Sequence, residues 1–181
     1  GLAVMAICYT LCLYKLNKPF NLSILGLLFL SLPIIPSLQF YLGYPLRIFA
    51  SGIVIFLLKL NGFFVTAEGT CLKWGNQNIC IDVPCAGIQM LWTGLYLCFT
   101  IAYIYKLTSR ETILLFFFSS FAIIMSNVFR ATALFYTELK IFNLPDFAHQ
   151  GIGLVVFFIT AVSINIFSQF VKGKKYALLS V

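Results

Sequence analysis

Charge is scarce in this sequence. Charged residues are 9% of 181, and only five of them are acidic. Histidine occurs once, at His149, which excludes a metal site built from several imidazoles. The six cysteines fall into no zinc-ligand spacing. The nucleophile elbow GxSxG, the zinc helix HExxH and the phosphate-binding P-loop are missing, and so is any internal repeat. Hydrolases of the elbow type, zinc peptidases and P-loop nucleotidases are therefore excluded. Neither a metal nor a cofactor is expected.

What is abundant is apolar. Hydrophobic residues are 61% of the chain and Phe alone occurs 20 times; mean hydropathy is +1.01. A soluble domain of this length cannot hide so much apolar surface, so lipid is the solvent for most of it. The formal charge of +7 then reads as Lys and Arg marking cytoplasmic loops, not as a nucleic-acid footprint. Membrane lipid is an expected partner and nucleic acid is not. The chain starts at Gly1 and is apolar at once, which suggests a single membrane-embedded domain over 1–181 with an upstream segment missing. A cleaved leader over 1–14 is the rival reading. Against it, no small-residue cleavage site follows, and Lys15 and Lys18 come after the apolar run instead of before it.

Hydropathy predicts spans over 1–14, 20–38, 86–105, 112–136 and 150–171, each full one near the ~20 residues that cross the hydrocarbon. The stretches 15–18, 106–110 and 172–175 hold seven of the twelve basic residues and no acid, so they are expected in the cytoplasm. Four of the five acids lie in two other loops, 66–84 and 138–149, expected outside. The apolar stretch 45–65 upsets this parity if it spans, and it carries Arg47 and Lys59. An interfacial or re-entrant helix after a turn at Pro33 and Pro36 is the preferred reading, with a sixth span as the alternative. The fold class is thus all-α, a polytopic membrane bundle of five or six spans. A short extracytoplasmic β-hairpin interrupts it, because Gly75-Asn76 sits at the centre of "TCLKWGNQNICI". That centring sets Cys71 opposite Cys80, either as a cross-strand disulfide or as two free thiols in a loose loop.

Three residues on the expected outer side could do chemistry. Cys85 follows Pro84, which suits a first helical turn, and stands where a helix N-terminus favours thiolate. Gly87 beside it would let a substrate backbone approach. Most free cysteines, however, are small buried hydrophobes. His149 opens the last span and could pair with the thiolate or protonate a leaving amine, or simply sit at the interface. Arg130 lies within "SNVFRATALF", with Asn127 one turn earlier on nearly the same face. An intramembrane arginine needs a partner or a task; it cannot act as a base, but it can hold an oxyanion. Its bland alternative is snorkelling to the headgroups. One Cys, one Arg and one His toward one face resemble the roles found in sortases, which have an unrelated soluble fold.

In order and spacing these motifs resemble the exosortase/archaeosortase family of integral-membrane sorting enzymes. The likeness rests on Cys85-Ala86-Gly87, Asn127-Val128-Phe129-Arg130 and His149-Gln150-Gly151-Ile152-Gly153, with "PLRIFAS", "LLKLNGFFVTAEG" and "ICIDVPCAGI" ahead of the cysteine, and covers roughly 30–170. Ala86 replaces a frequent Ser. Gln150 stands where some members carry an acid, a role Asp146 could take over. The resemblance implies catalytic Cys85, Arg130 and His149, supported by Asn127, Gly87 and Asp146; Arg47 is a further candidate for lining the site. It implies a cell-membrane enzyme with its site on the extracytoplasmic face. Its partners would be secreted proteins bearing a C-terminal sorting tail (a PEP-like motif, a transmembrane helix and a basic cluster) and a surface acceptor, such as a lipid or polysaccharide. Cys85 would form the thioester, Arg130 would steady the oxyanion and His149 would shuttle the proton. The tail's helix could pack on small residues, for which Gly151 and Gly153 are candidates. Two other classes remain open: a non-catalytic membrane scaffold, and a small transporter subunit with Arg130 binding an anion.

Overall fold

A computed structural model describes residues 2–16, 21–33, 35–69, 71–75, 77–80, 87–138 and 148–179. In chain order its elements are α1 (Leu2–Leu16), α2 (Leu22–Leu30), α3 (Ile35–Leu60), β1 (Thr66–Glu68), β2 (Cys71–Trp74), β3 (Gln77–Cys80), α4 (Ile88–Ile104), α5 (Ser109–Glu138) and α6 (Ala148–Leu179). Among the described residues three stretches are long and apolar enough to cross a membrane, Ile35–Leu60, Ser109–Thr137 and Gly151–Gly173; Ile88–Ile104 is a shorter apolar helix. The protein is an all-α membrane bundle with one small sheet.

The centre of the bundle is α5, with α4 and α6 antiparallel to it. Gly94 on α4 receives Ile123 so closely that a Cβ there would lie 2.5 Å from Ile123 Cδ1. Along the other seam, Ser126 and Thr160 share a hydrogen bond of 2.6 Å, and Phe118 stacks on Phe167 with centroids 3.9 Å apart. Cys98, Ala102, Leu115, Ile123 and Ile164 form the shared core. Small residues and short polar links are what bring helices together where lipid is the solvent.

The expected span over 20–38 is two helices. Ser31 closes α2, its N–H reaching Leu27 O at 2.9 Å. Pro33 follows, and α3 opens at Ile35 with Pro36 in its first turn, where no N–H is needed. At nine residues, α2 is only about 14 Å long, too short to cross.

The stretch 45–65 also differs from the preferred reading. It continues a helix that starts ten residues earlier and reaches about 39 Å. The open side of α3 carries Phe40, Tyr41, Phe49, Phe56 and Leu60. A helix lying in the interface needs a polar face instead. Within it, Pro45 interrupts the ladder, and Arg47 Nε donates to Gly43 O at 3.2 Å beside the ring.

The parity puzzle has a geometric answer. Ser23 meets Thr112 at the start of α5, and Trp92 Nε1 donates to Leu30 O at 3.1 Å. Ala50, Val54 and Leu58 then pack with Val128, Ala131 and Phe135. Thus α2 and α3 travel the same way and together make one traverse. The α4–α5 turn with Lys106 and Arg110 lies at one end, where Lys172 sits 5.1 Å over the Tyr105 ring. The sheet lies at the other.

That sheet has strand order β1-β2-β3, all antiparallel. Its register pairs Trp74 with Gln77 and Cys71 with Cys80, and Gly75 supplies the turn with φ +57. The sequence reading missed β1, which pairs Glu68 with Cys71. Leu72 is buried among Leu58, Val65 and Phe135. Phe63 makes edge contacts with Trp74, Phe135 and Tyr136. The sheet is therefore seated on the ends of α3 and α5.

Candidate active site

The sheet end of the bundle brings three motif-bearing helices together. The first to arrive is α4. Its N-cap is Gly87, left-handed at φ +74, whose carbonyl accepts from Leu91 N–H at 2.7 Å. The helix begins at Ile88, and Gly87 occupies the position where the chain turns into it. A Cβ on Gly87 would stand 2.6 Å from both Asn127 Cγ and Nδ2. Only a residue without a side chain fits both the backbone angle and that contact. Asn127, 6% exposed, lies against the backbone two residues after Cys85.

One turn along α5 is Arg130. Its Nε is buried and has no hydrogen-bond partner among the described residues. The guanidinium packs over Gly153 of α6: a Cβ there would be 3.2 Å from Nε and 3.4 Å from Cζ. Below it, the Ser126–Thr160 link holds the two helices at this spacing. His149 is the second residue of α6. It is four residues, about one turn, before Gly153 and so on the same stripe of the helix. Thus the stripe of α6 that bears His149 is the one that Arg130 packs against. A small cleft, partly open to the surroundings, adjoins Gly87 and Asn127 and is walled by Leu46, Ala50, Leu91 and Ile123.

Other expected site residues fall differently. Cys85 and Asp146, like Pro84, lie outside the described residues, as does the His149 side chain. Arg47 lies next in sequence to the cleft residue Leu46, and its described bond is to its own helix. Cys71 is disulfide-bonded, and the register sets Cys80 opposite it. Gly153 is taken up by Arg130, whereas a Cβ on Gly151 would meet none of the described residues; among these, only Gly151 of the two is left open to a visiting helix. Sequence reasoning offered Arg47 from this stretch of α3 but not the wall residues Leu46 and Ala50, and it missed the Gly153–Arg130 approach. The run Ala50-Ser51-Gly52 is a small-residue signal for the first; nothing local signals the second.

Comparison with known families decides the kind of protein. The sequence profile of the transmembrane exosortases matches residues 1–166. The chain belongs to the transmembrane exosortase family. The match includes Cys85, Asn127, Arg130 and His149, and it starts well before the motif-bearing region near residue 30. Exosortases are membrane sorting proteases, generally cysteine transpeptidases. No curated protein and no solved structure matches the chain.

For an exosortase the chemistry available here is limited and specific. The Arg130 guanidinium is a permanent cation with donors in a fixed fork. Its buried Nε–H has no partner among the described residues, and such a donor suits an anionic oxygen.

Proposed function

We propose that this exosortase is a cysteine transpeptidase or protease of the cell membrane that acts on the extracytoplasmic face. Its substrates would be secreted proteins with a C-terminal sorting tail. The Cys85 thiolate attacks the scissile carbonyl carbon, and Arg130 donates to the resulting oxyanion. Collapse breaks the C–N bond as the His149 imidazolium gives its proton to the leaving amine, leaving a thioester. His149, now neutral, takes the proton of the acceptor amine or hydroxyl as it attacks, and the thiolate leaves. Water in place of the acceptor gives hydrolysis. A tail tethered by its own helix reaches the site by lateral diffusion, which raises its effective concentration.

One observation carries this reading. Gly87 of the cysteine motif packs on Asn127, while Arg130, one turn on, packs on the α6 stripe that bears His149. Three motifs far apart in sequence thereby meet at one end of the bundle.

The test uses a variant lacking Cys8, Cys12 and Cys98 but keeping Cys71 and Cys80. Intact cells are labelled with a membrane-impermeant maleimide across a pH series, and Cys85 modification is read by peptide mass spectrometry. Labelling from outside is expected, with thiolate reactivity persisting well below the free-cysteine range near 8.5. His149→Ala should return the profile toward that range, and Cys85→Ala should abolish processing of a tail-bearing substrate. Labelling only after permeabilisation would overturn the proposal, and so would a profile indifferent to His149→Ala.

A further inference from the structure

The chain between β3 and α4 is short. Only residues 81–86 separate Cys80 from Gly87, so seven Cα steps, at most about 25 Å of fully extended chain, link two fixed points. One point is Gly87, held by its contact with Asn127. The other is the end of β3. Among the described residues that strand is at the sheet edge and pairs with β2 alone, over four residues. Two short strands alone are marginal. The weak point is their open end, farthest from the Gly75 turn, which is where the chain leaves for Cys85.

That open end is where Cys71 sits. It is disulfide-bonded, and its cross-strand neighbour is Cys80. Directly paired antiparallel residues have Cα spacings that suit a disulfide. The next residue, Leu72, is buried against Leu58, Val65 and Phe135. β2 is thus fixed to the ends of α3 and α5, and a bond from Cys71 to β3 extends that hold to the start of the Cys85 segment.

We infer that a Cys71–Cys80 disulfide is a positioning device for the nucleophile. It seats the upstream end of the 81–86 segment on the bundle, so that Cys85 is delivered at a fixed place relative to Arg130 and His149. The inference rests on the proposed role of Cys85. It predicts an enzyme that works only where disulfides persist, outside the reducing cytoplasm.

Two measurements test it. Non-reducing peptide mapping should find Cys71 joined to Cys80; Cys71 joined to any other cysteine overturns the inference. Cys71→Ser/Cys80→Ser is then compared with its parent, both lacking Cys8, Cys12 and Cys98, for substrate processing and for the pH profile of Cys85 labelling. The expected result is normal membrane accumulation, processing slowed by about tenfold or more, and a Cys85 profile that no longer responds to His149→Ala. A merely structural bond would lower protein amount but leave the profile of the surviving protein unchanged. An unchanged profile with unchanged processing overturns the inference. If the double variant does not accumulate, the parent is treated in intact cells with an impermeant phosphine reductant, and Cys85 is read at the peptide level. Loss of the His149 response on reduction and its return on reoxidation support the device; indifference to reduction overturns it. A parent whose Cys85 never responds to His149 would instead defeat the proposed function.

Discussion

At the scale of single residues, the site depends on two glycines that are glycine for different reasons. Gly87 carries both a left-handed backbone and an Asn127 amide where its Cβ would be. Gly87→Ala should cost about 1–2 kcal/mol for the backbone alone, and it must also displace Asn127. Thermal unfolding in detergent should drop by a few degrees, while Cys85 reactivity falls by on the order of tenfold or more. Gly153 has an ordinary backbone but sits under Arg130, whereas Gly151 faces open space among the described residues. Gly153→Ala should therefore lower kcat with little change in thermal stability, whereas Gly151→Ala, open only to a visiting helix, should act on KM for the tail and leave kcat unchanged. Equal effects of the two would mean that the Arg130 contact does not matter. Arg130→Lys keeps the charge and loses the fork. If Arg130 holds the oxyanion, its turnover should fall by about 10²–10³ at unchanged protein level.

At the scale of elements, the sheet is a separate body docked through few residues. Leu72→Ala removes, among the described residues, the strands' one deeply buried side chain from the Leu58–Phe135 cluster. The loss should be about 2–4 kcal/mol, felt locally. The measurement is limited proteolysis: cleavage within 66–80 should speed up while α4–α6 survive intact. Uniform loosening of the whole bundle would contradict the docking described. The hairpin was legible because Gly75-Asn76 and the paired cysteines are local signals with their own geometry. The helices α4, α5 and α6 were legible because hydropathy over about twenty residues is a strong pattern. The α2–α3 break was legible only in part: Pro33 and Pro36 signalled a turn, but the apolar residues on either side sum to one span-length run, so hydropathy does not register that α3 already begins at Ile35. β1 was missed because three residues carry no period. At the site, Asn127 and Arg130 could be paired by helical spacing. That Gly153 meets Arg130 could not be read, because it depends on how α5 and α6 are set against each other by Ser126 and Thr160.

At the scale of the whole molecule, one end of the bundle gathers basic residues. Lys106, Arg110 and Lys172 cluster around the α4–α5 turn, and the sheet with Lys73 and the site lies at the opposite end. This separation requires α2 and α3 to make a single traverse, since two full crossings between residues 21 and 60 would bring the sheet back to the basic end. Lys106→Cys and Lys73→Cys, each alone in a variant retaining only Cys71 and Cys80, report the two ends; both positions are exposed. Impermeant maleimide should reach Cys at 73 in intact cells and Cys at 106 only after permeabilisation, as the excess of Lys and Arg on the cytoplasmic side demands. Labelling of both from the same side would mean that α2 and α3 each cross, and the end-to-end order seen in the Ser23–Thr112 and Leu58–Phe135 contacts would be wrong. Opposite sides in the reverse sense would keep the fold but turn Arg130 and His149 toward the cytoplasm. A secreted substrate could not then reach them, and a Cys71 disulfide would have to survive among reducing thiols. The fold alone tolerates either orientation; only the basic end outward is incompatible with the proposed chemistry.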